Sequence, residues 1–358
     1  MMDSATDILA DDAGAMLRDT ADRLLADHFT PQARAQVAAG EWPNDVWTAL
    51  DEVGLLAAIL PEEAGGFGVP VADALSLLRV AGSHALPLPL ADTMLAGLVL
   101  ARVGIEVPAG PLAVAQGSDV RLDDAGRATG HAWGVPWGRH TRAVVVLAER
   151  KGGPALVVLP QAALTVEPGS DIAGDPSDAV RFEAIAAESA PASFDAAELR
   201  AVGAATRTLM MAGALGAVST MTAVYANERR QFGRAIGQFQ AVQQNLAVLA
   251  GQAASAAAAA GLAAEAVAAW AGESGPGLLP AVAAAKVRTG EAAGQAAAIA
   301  HQVHGAIGFT AEHRLHHYTA RLRAWRDAFG REAEWAQVLG RYLIAAGPDG
   351  LWPAITAA

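Results

Sequence analysis

The 358-residue chain has no cysteine, which excludes disulfides, thiolate nucleophiles and cysteine metal sites. A reducing compartment fits that absence without being required by it. Positive charge is also scarce. A net charge of -12 and a pI near 5.2 argue against a nucleic-acid surface, which needs a concentrated positive field. The first residues, Met1 to Asp7, carry acids where a secretory signal carries a cationic segment, so the expectation is a cytoplasmic protein. One apolar run, Ala253 to Trp270, is broken only by Ser255 and Glu265. Alanine buries little area per residue, the run is barely long enough to span, and a carboxylate in mid-segment is costly in lipid. It is read as a closely packed helix, and no membrane insertion is expected.

With 53% hydrophobic residues, the chain can bury a large core and form more than one structural unit. Three blocks separate by period. Residues 1–107 read as a helical domain, with apolar three-to-four spacing over Asp45–Leu60 and Val71–Leu100. Turn formers interrupt it at Pro61-Glu62-Glu63-Ala64-Gly65-Gly66-Phe67-Gly68-Val69-Pro70 and at Pro87-Leu88-Pro89. Residues 108–193 change to short apolar runs, among them Ala143–Ala148, Ala155–Leu159, Leu164–Val166 and Ala179–Phe182, and read as a small β domain, barrel or sandwich. From 194 to 358 the helical period returns in four long stretches, Glu198–Asn227, Phe239–Trp270, Gly277–Val303 and Arg314–Ala345. These suit a four-helix bundle, with Gly272–Gly277 as the turn between the second and third. The fold class is mainly α with a central β domain.

Two motifs carry chemistry. Glu228-Arg229-Arg230-Gln231-Phe232-Gly233-Arg234-Ala235-Ile236-Gly237-Gln238-Phe239-Gln240 takes a cationic helix end into a glycine turn, an arrangement that meets a diphosphate with charge-assisted hydrogen bonds. Gln302-Val303-His304-Gly305-Ala306-Ile307-Gly308-Phe309 is a glycine-bearing turn after an alanine-rich helix, where missing side chains let backbone amides approach a phosphate or ribityl group. A solvated charge cluster and a helix C-cap are the plainer readings of each alone. Their order, spacing and pairing favour a flavin site.

In that order and spacing the two motifs resemble the acyl-CoA dehydrogenase family of FAD enzymes, and the three-block architecture is similar over essentially the whole chain. The resemblance implies that Arg229, in the Arg-x-x-Phe-Gly pattern, meets the FAD pyrophosphate across a dimer interface. Gln231 and Phe232 stand beside it, and Ile236 and Gln240 belong to the same segment. It likewise implies that Gln302, Gly305 and Ala306, the last replacing a family glycine, touch the adenosine half of FAD. The Pro61–Gly68 loop is another family feature and reads here only as a turn.

The reaction implied is α,β-dehydrogenation of an acyl-CoA thioester, which needs a carboxylate base whose pKa an apolar pocket raises toward the operating pH. The position where most members carry that glutamate falls on Phe329, within Arg326-Asp327-Ala328-Phe329-Gly330, and no Tyr-Glu-Gly-Thr pattern is present. Relatives that place the base just before Ala204-Ala205-Thr206 leave only Val202 and Gly203 here. Glu198, Asp327, Glu332 and Glu334 are nearby carboxylates that read as helix-surface charges, with Asp327 the least unsuited substitute. His313, His316 and His317, beside Glu312, have helical spacing a metal could use, but no glutamate lies between a His-x-x-x-His pair, and no metal is expected. Trp133 and Trp137 fit either a flavin edge or the β-domain core.

The expectation that joins these presences and absences is a subunit of a heteromeric acyl-CoA dehydrogenase of lipid or steroid catabolism. It would supply cross-interface FAD contacts while a related chain supplies the base, with an electron-transfer flavoprotein as electron acceptor. A homo-oligomeric flavin enzyme, a dimer of dimers with a displaced base or oxidase chemistry, is the first alternative. A non-catalytic interaction protein keeping the fold is the second.

Overall fold

The computed structural model describes residues 3–272, 277–310 and 312–356, with side chains described from residue 14 to residue 353 within those stretches. The glycine-rich turn expected between the second and third long helices falls largely on residues 273–276, outside the described residues. The chain divides into two compact units.

The first unit comprises Met1–Leu77, Pro87–Gly203 and Ala271–Glu273. Its helical part begins with α1 (Asp3–His28), α2 (Pro31–Ala38) and α3 (Asn44–Glu52). Proline at the first position of α2 and the Thr30 hydroxyl, accepting from the Ala33 N–H at 3.3 Å, start that helix. The sequence period suggests a helix to Leu60, but α3 stops at Glu52, because Gly54 adopts φ 73° and the chain continues through turns. Next come α4 (Val71–Ser83), of which the first part belongs to this unit, and α5 (Leu90–Arg102), separated at Pro87-Leu88-Pro89 as the proline signal indicates.

The strands of this unit form two four-stranded sheets. One has the order β1 (Leu112–Val114), β4 (Ala143–Ala148), β5 (Ala155–Pro160), β8 (Glu188–Pro191). The other has the order β2 (Gly117–Leu122), β3 (Arg127–Pro136), β7 (Ser177–Ala186), β6 (Thr165–Glu167). Apolar residues of both sheets, Val120, Ala132 and Val180 from one and Val144, Val146 and Val157 from the other, share one core, so the β domain is a sandwich. β1, β2, β3 and β8 have weaker apolar alternation and do not stand out in the sequence. Trp137 is buried at φ 54°, donates its indole N–H to the Pro87 carbonyl at 2.8 Å and packs edge-on to Trp42, whereas Trp133 stays 47% exposed. Trp137 is therefore a core residue.

The second unit comprises Leu78–Leu86, Ala204–Trp270 and Ser274–Ala358. Its long helices are α6 (Ala196–Glu228, from residue 204), α7 (Gln240–Ala271) and α8 (Leu278–His304). The stretch expected as a single fourth helix is instead α9 (Leu315–Asp327) and α10 (Glu332–Thr356), α10 itself being broken at Gly347. The cause of the first break is local: Phe329 and Gly330 take φ 54° and φ 103°, which no continuous right-handed helix admits. α6 and α7 are long and apolar enough to cross a membrane by composition, but 56% of the apolar window of α6 is buried against 28% for α7. Core packing thus accounts for the apolar character of α6 and leaves much of α7 facing outward.

Candidate functional site

Both motifs singled out in the sequence, Glu228–Gln240 and Gln302–Phe309, lie within the second unit. α6 ends at Glu228, and the Arg229 N–H still donates to the Tyr225 carbonyl at 2.9 Å, closing the last helical turn. The chain then forms a two-residue hairpin, β9 (Arg230–Gln231) against β10 (Arg234–Ala235). Phe232 and Gly233 occupy its tip at φ 51° and φ 81°, the positive pair that a tight primed turn demands. A tip of this kind makes Phe-Gly a turn rather than merely a helix break. The Ile236 N–H returns to the Arg229 carbonyl at 2.8 Å, and a short 3-10 turn over Ile236–Gln238 leads into α7 at Gln240.

This geometry pushes side chains outward. Phe232 is 91% exposed, with its ring edge-on to Phe239 at 6.1 Å, while the Arg234 guanidinium lies 4.0 Å over the Phe239 ring. Arg229, Gln231 and Gln240 are exposed, Ile236 is half-buried, and the Arg229 side chain makes no hydrogen bond or ion pair among the described residues. A large exposed aromatic ring held in a conformation that costs about 1 kcal/mol or more is an arrangement free folding does not favour by itself.

The second motif forms the end of α8. Gly305 takes φ 65° and ψ -144° as its C-cap, its N–H donates to the His301 carbonyl, and a 3-10 turn follows over Gly305–Phe309. A Cβ at Gly305 would meet nothing within 4 Å, so the glycine answers to backbone conformation and leaves an open approach. Gln302 and Ala306 are exposed beside it.

Tyr225, which no sequence motif singles out, ties the two segments together. Its hydroxyl donates to the His304 carbonyl at 3.2 Å, and its ring stacks on the His304 ring at 4.4 Å and 24°. The carbonyl that closes the turn before the hairpin and the ring that meets the end of α8 belong to one residue. A lone tyrosine four positions before Arg229 in a helix of small residues is the signal that could have found it.

Around that tie stands a group of imidazoles. The His304 Nδ1 donates to the Ala300 carbonyl at 2.8 Å, which leaves Nε2 as a buried acceptor without a hydrogen-bond partner among the described residues. His304 packs on His313 at 4.6 Å, and His301 stacks on Phe309 at 4.2 Å with Nε2 2.9 Å from the Thr319 hydroxyl. Burial first, and then neighbouring groups, the Arg323 guanidinium at His301 and the adjacent imidazoles at all three, hold His301, His304 and His313 below the ordinary imidazole pKa. Among the described residues, no group of three or more His, Asp or Glu side chains is placed to hold a metal ion.

The carboxylates weighed as bases all have structural partners. Asp327 is 39% exposed in its side chain and forms an ion pair with Arg331 at 3.0 Å. Glu332 pairs with Arg326, and Glu334 accepts from the Arg331 N–H at 3.1 Å. In the first unit, Glu198 accepts from the Asp195 N–H at 3.0 Å while Asp195 accepts from the Ala197 and Glu198 N–H groups, a capping box that starts α6. Phe329 is 4% exposed, with the buried Arg207 guanidinium 5.5 Å over its ring. The position read as the expected site of the base is thus an apolar ring under a cation.

Comparison with known proteins agrees with this architecture. The acyl-CoA dehydrogenase C-terminal domain family matches residues 198–341, and the acyl-CoA dehydrogenase N-terminal domain family matches residues 11–106. The chain is 31% identical over 316 residues to acyl-CoA dehydrogenase IpdE2 of Mycobacterium tuberculosis, covering 86% of this chain and 89% of that one. Among solved structures, the ChsE4-ChsE5 complex from Mycobacterium tuberculosis matches with a TM-score of 0.85 at 24% identity over 94% of this chain and 98% of that one. The steroid ACAD Tcur3481-Tcur3483 matches with a TM-score of 0.84 at 26% identity over 94% and 99%.

Proposed function

The chain belongs to the acyl-CoA dehydrogenase family, and from that premise we propose that it is one of two unlike chains in a heteromeric enzyme, lending FAD contacts to a site whose base comes from its partner. The family comprises oxidoreductases acting on the CH–CH bond of acyl-CoA thioesters, with FAD as cofactor. When bound, FAD would supply the hydride acceptor for an α,β-dehydrogenation that also needs a carboxylate base for the α-proton.

The observation that carries the proposal is the outward face of the cofactor motifs. Arg229, Gln231, Phe232, Gln240 and Gln302 are all exposed, on two segments that Tyr225 holds together. The residues fit the group. Arg229 keeps a guanidinium with no partner among the described residues for a diphosphate, Phe232 offers a flat ring, and Gly305 leaves backbone open to an adenosine. Exposed contacts of this kind serve a ligand held mainly by another chain. The engaged carboxylates and the buried Phe329 favour a base from elsewhere, and the exposed small-residue helix α7 offers a surface for close packing with a related chain.

Two of the similar structures bear paired chain names, and one of those is described as a steroid enzyme. By that likeness a bulky acyl-CoA of lipid or steroid catabolism is the substrate we assign, with an electron-transfer flavoprotein as acceptor and the cytoplasm as the place of work. The test is the FAD-to-chain ratio and native mass of the protein purified alone and after co-expression with a related chain. Little flavin alone, with about one FAD per pair of unlike chains together, supports the assignment. One tightly held FAD per chain in a homo-oligomer overturns it.

A further inference from the structure

Tyr225 is half-buried near the end of α6, among the small residues Ala223 and Ala226 and the exposed Val224. Its main chain and its side chain hold different things. The Tyr225 carbonyl accepts from the Arg229 N–H at 2.9 Å, and the Arg229 carbonyl accepts from the Ile236 N–H at 2.8 Å, so the base of the hairpin is fastened to the backbone of this residue. Beyond the hairpin, Gly237 comes so near α6 that a Cβ on it would stand 3.1 Å from the Ala226 carbonyl oxygen. The hairpin and the turn after it are therefore one tab on the end of α6, and Arg229 moves with Tyr225.

The side chain reaches α8. A helix leaves its last carbonyls without partners of its own, and the Tyr225 hydroxyl satisfies one of them by donating to the His304 carbonyl at 3.2 Å, directly before Gly305. Its ring lies on the His304 imidazole, which the bond from Nδ1 to the Ala300 carbonyl fixes against α8. His304 also braces the turn that follows, because a Cβ on Gly308 would stand 3.0 Å from the His304 Cβ. One side chain thus joins the tab that carries Arg229 to the turn over Gly305–Phe309. A phenylalanine would fill the same space, so packing alone does not call for the hydroxyl.

We propose that Tyr225 is a positioning residue for the cofactor, holding Arg229 and the Gly305 turn in register so that one dinucleotide meets both at once. The inference deepens the function proposed above and rests on its reading of those two segments as FAD contacts. Two contacts kept at a fixed separation hold a ligand better than the same contacts on segments that move independently, because their ordering precedes binding. Loss of the tie weakens retention of the cofactor while every group that meets it stays in place.

The test uses the complex of this chain with a related chain, purified with its flavin. Release of FAD on dilution is followed by the rise in flavin fluorescence, beside the visible circular dichroism of the bound flavin and the melting temperature of the complex stripped of FAD. Tyr225→Phe keeps the ring and removes the donor. It should release FAD about three- to tenfold faster, the range for one neutral hydrogen bond, and shift the melting temperature of the stripped complex by no more than about 2 °C. Tyr225→Leu removes the ring as well and should release FAD faster still, with altered flavin dichroism. Arg229→Gln should also speed release, and the variant carrying both Tyr225→Phe and Arg229→Gln should release no faster than Arg229→Gln alone, since a register matters only while both contacts exist. A residue with a merely structural role would multiply the two effects. Parent-like release from Tyr225→Phe, or effects that multiply, overturns the positioning role and leaves the FAD reading standing. A parent complex that carries no FAD overturns both together.

Discussion

Gly213 on α6 has no room for a side chain: a Cβ there would stand far inside van der Waals contact with the Arg79 carbonyl oxygen, and one on Gly82 of α4 would overlap the Met210 carbonyl oxygen in the same way. The backbones of the two helices therefore touch, each through the other's glycine. Because the obstructing atoms are main chain, no rotamer change relieves the clash, and the helices must separate. Gly213→Ala is expected to lower stability by about 1–3 kcal/mol despite the better helix propensity of alanine, with the loss read from urea unfolding. An unchanged or raised midpoint would show that the helices part at little cost. Helical periodicity conceals this contact, since a glycine in an alanine-rich stretch reads as one more small residue. Phe232 teaches the complementary lesson. Its neighbour Gly233 makes the turn visible in sequence, while the hairpin that lifts the ring into solvent depends on the pairing of Arg230 with Ala235 and Gln231 with Arg234, which no spacing rule announces.

Among elements, the end of α9 is the most instructive. Lys286 of α8 is 1% exposed, and its ammonium donates to the Trp325 carbonyl at 2.6 Å and the Arg326 carbonyl at 3.0 Å. Those are among the carbonyls a helix C-terminus leaves without intrahelical partners, and a cation is also favoured there by the helix dipole. The Trp335 indole N–H adds a bond of 3.0 Å to the Phe329 carbonyl, so two side chains from neighbouring helices hold a bend that the helical period of the sequence runs straight through. Lys286→Met keeps the length of the side chain and removes its donors. It is expected to destabilise the protein by about 1–3 kcal/mol, the cost of leaving buried carbonyls unmatched, with the loss appearing as a lower denaturant midpoint at constant m-value. An m-value that falls with the midpoint would instead point to fraying of α9 rather than loss of two bonds. The break itself is legible only in part: Ala328-Phe329-Gly330 carries a glycine, but Phe329 at positive φ is a conformation its residue type argues against, and it persists because packing over-determines it.

For the molecule as a whole, what the sequence discloses is what has a period or a punctuating residue. The shift from helix to short apolar strands and back survives into the structure because burial on one face or two imposes it, and Ala143–Ala148 stands where its β-branched run indicates. Strands paired along weakly alternating segments and the tie from Tyr225 to the end of α8 escape, because they arise from residues brought together by folding. The imidazole group is of that second kind, and its consequence reaches the stability of the entire fold. His301, His304 and His313 fall below the ordinary imidazole value of 6.5, chiefly by burial, with His316 and Arg323 adding repulsion and the Ala300 carbonyl opposing it at His304. Unfolding releases each ring to titrate normally, so between about pH 6.5 and the lower native value the unfolded chain binds more protons. Stability from these rings is complete above about pH 6.5 and declines as acid carries the solution toward the native pKa values, each ring contributing a slope of up to about 1.4 kcal/mol per pH unit. His304→Phe keeps a ring against Tyr225 and removes the buried acceptor, so urea midpoints measured from about pH 8 to pH 5 should fall less steeply for the variant than for the parent. Parallel curves would mean that His304 keeps its ordinary proton affinity in the folded protein, and the acid sensitivity would then have to come from His301 and His313 alone.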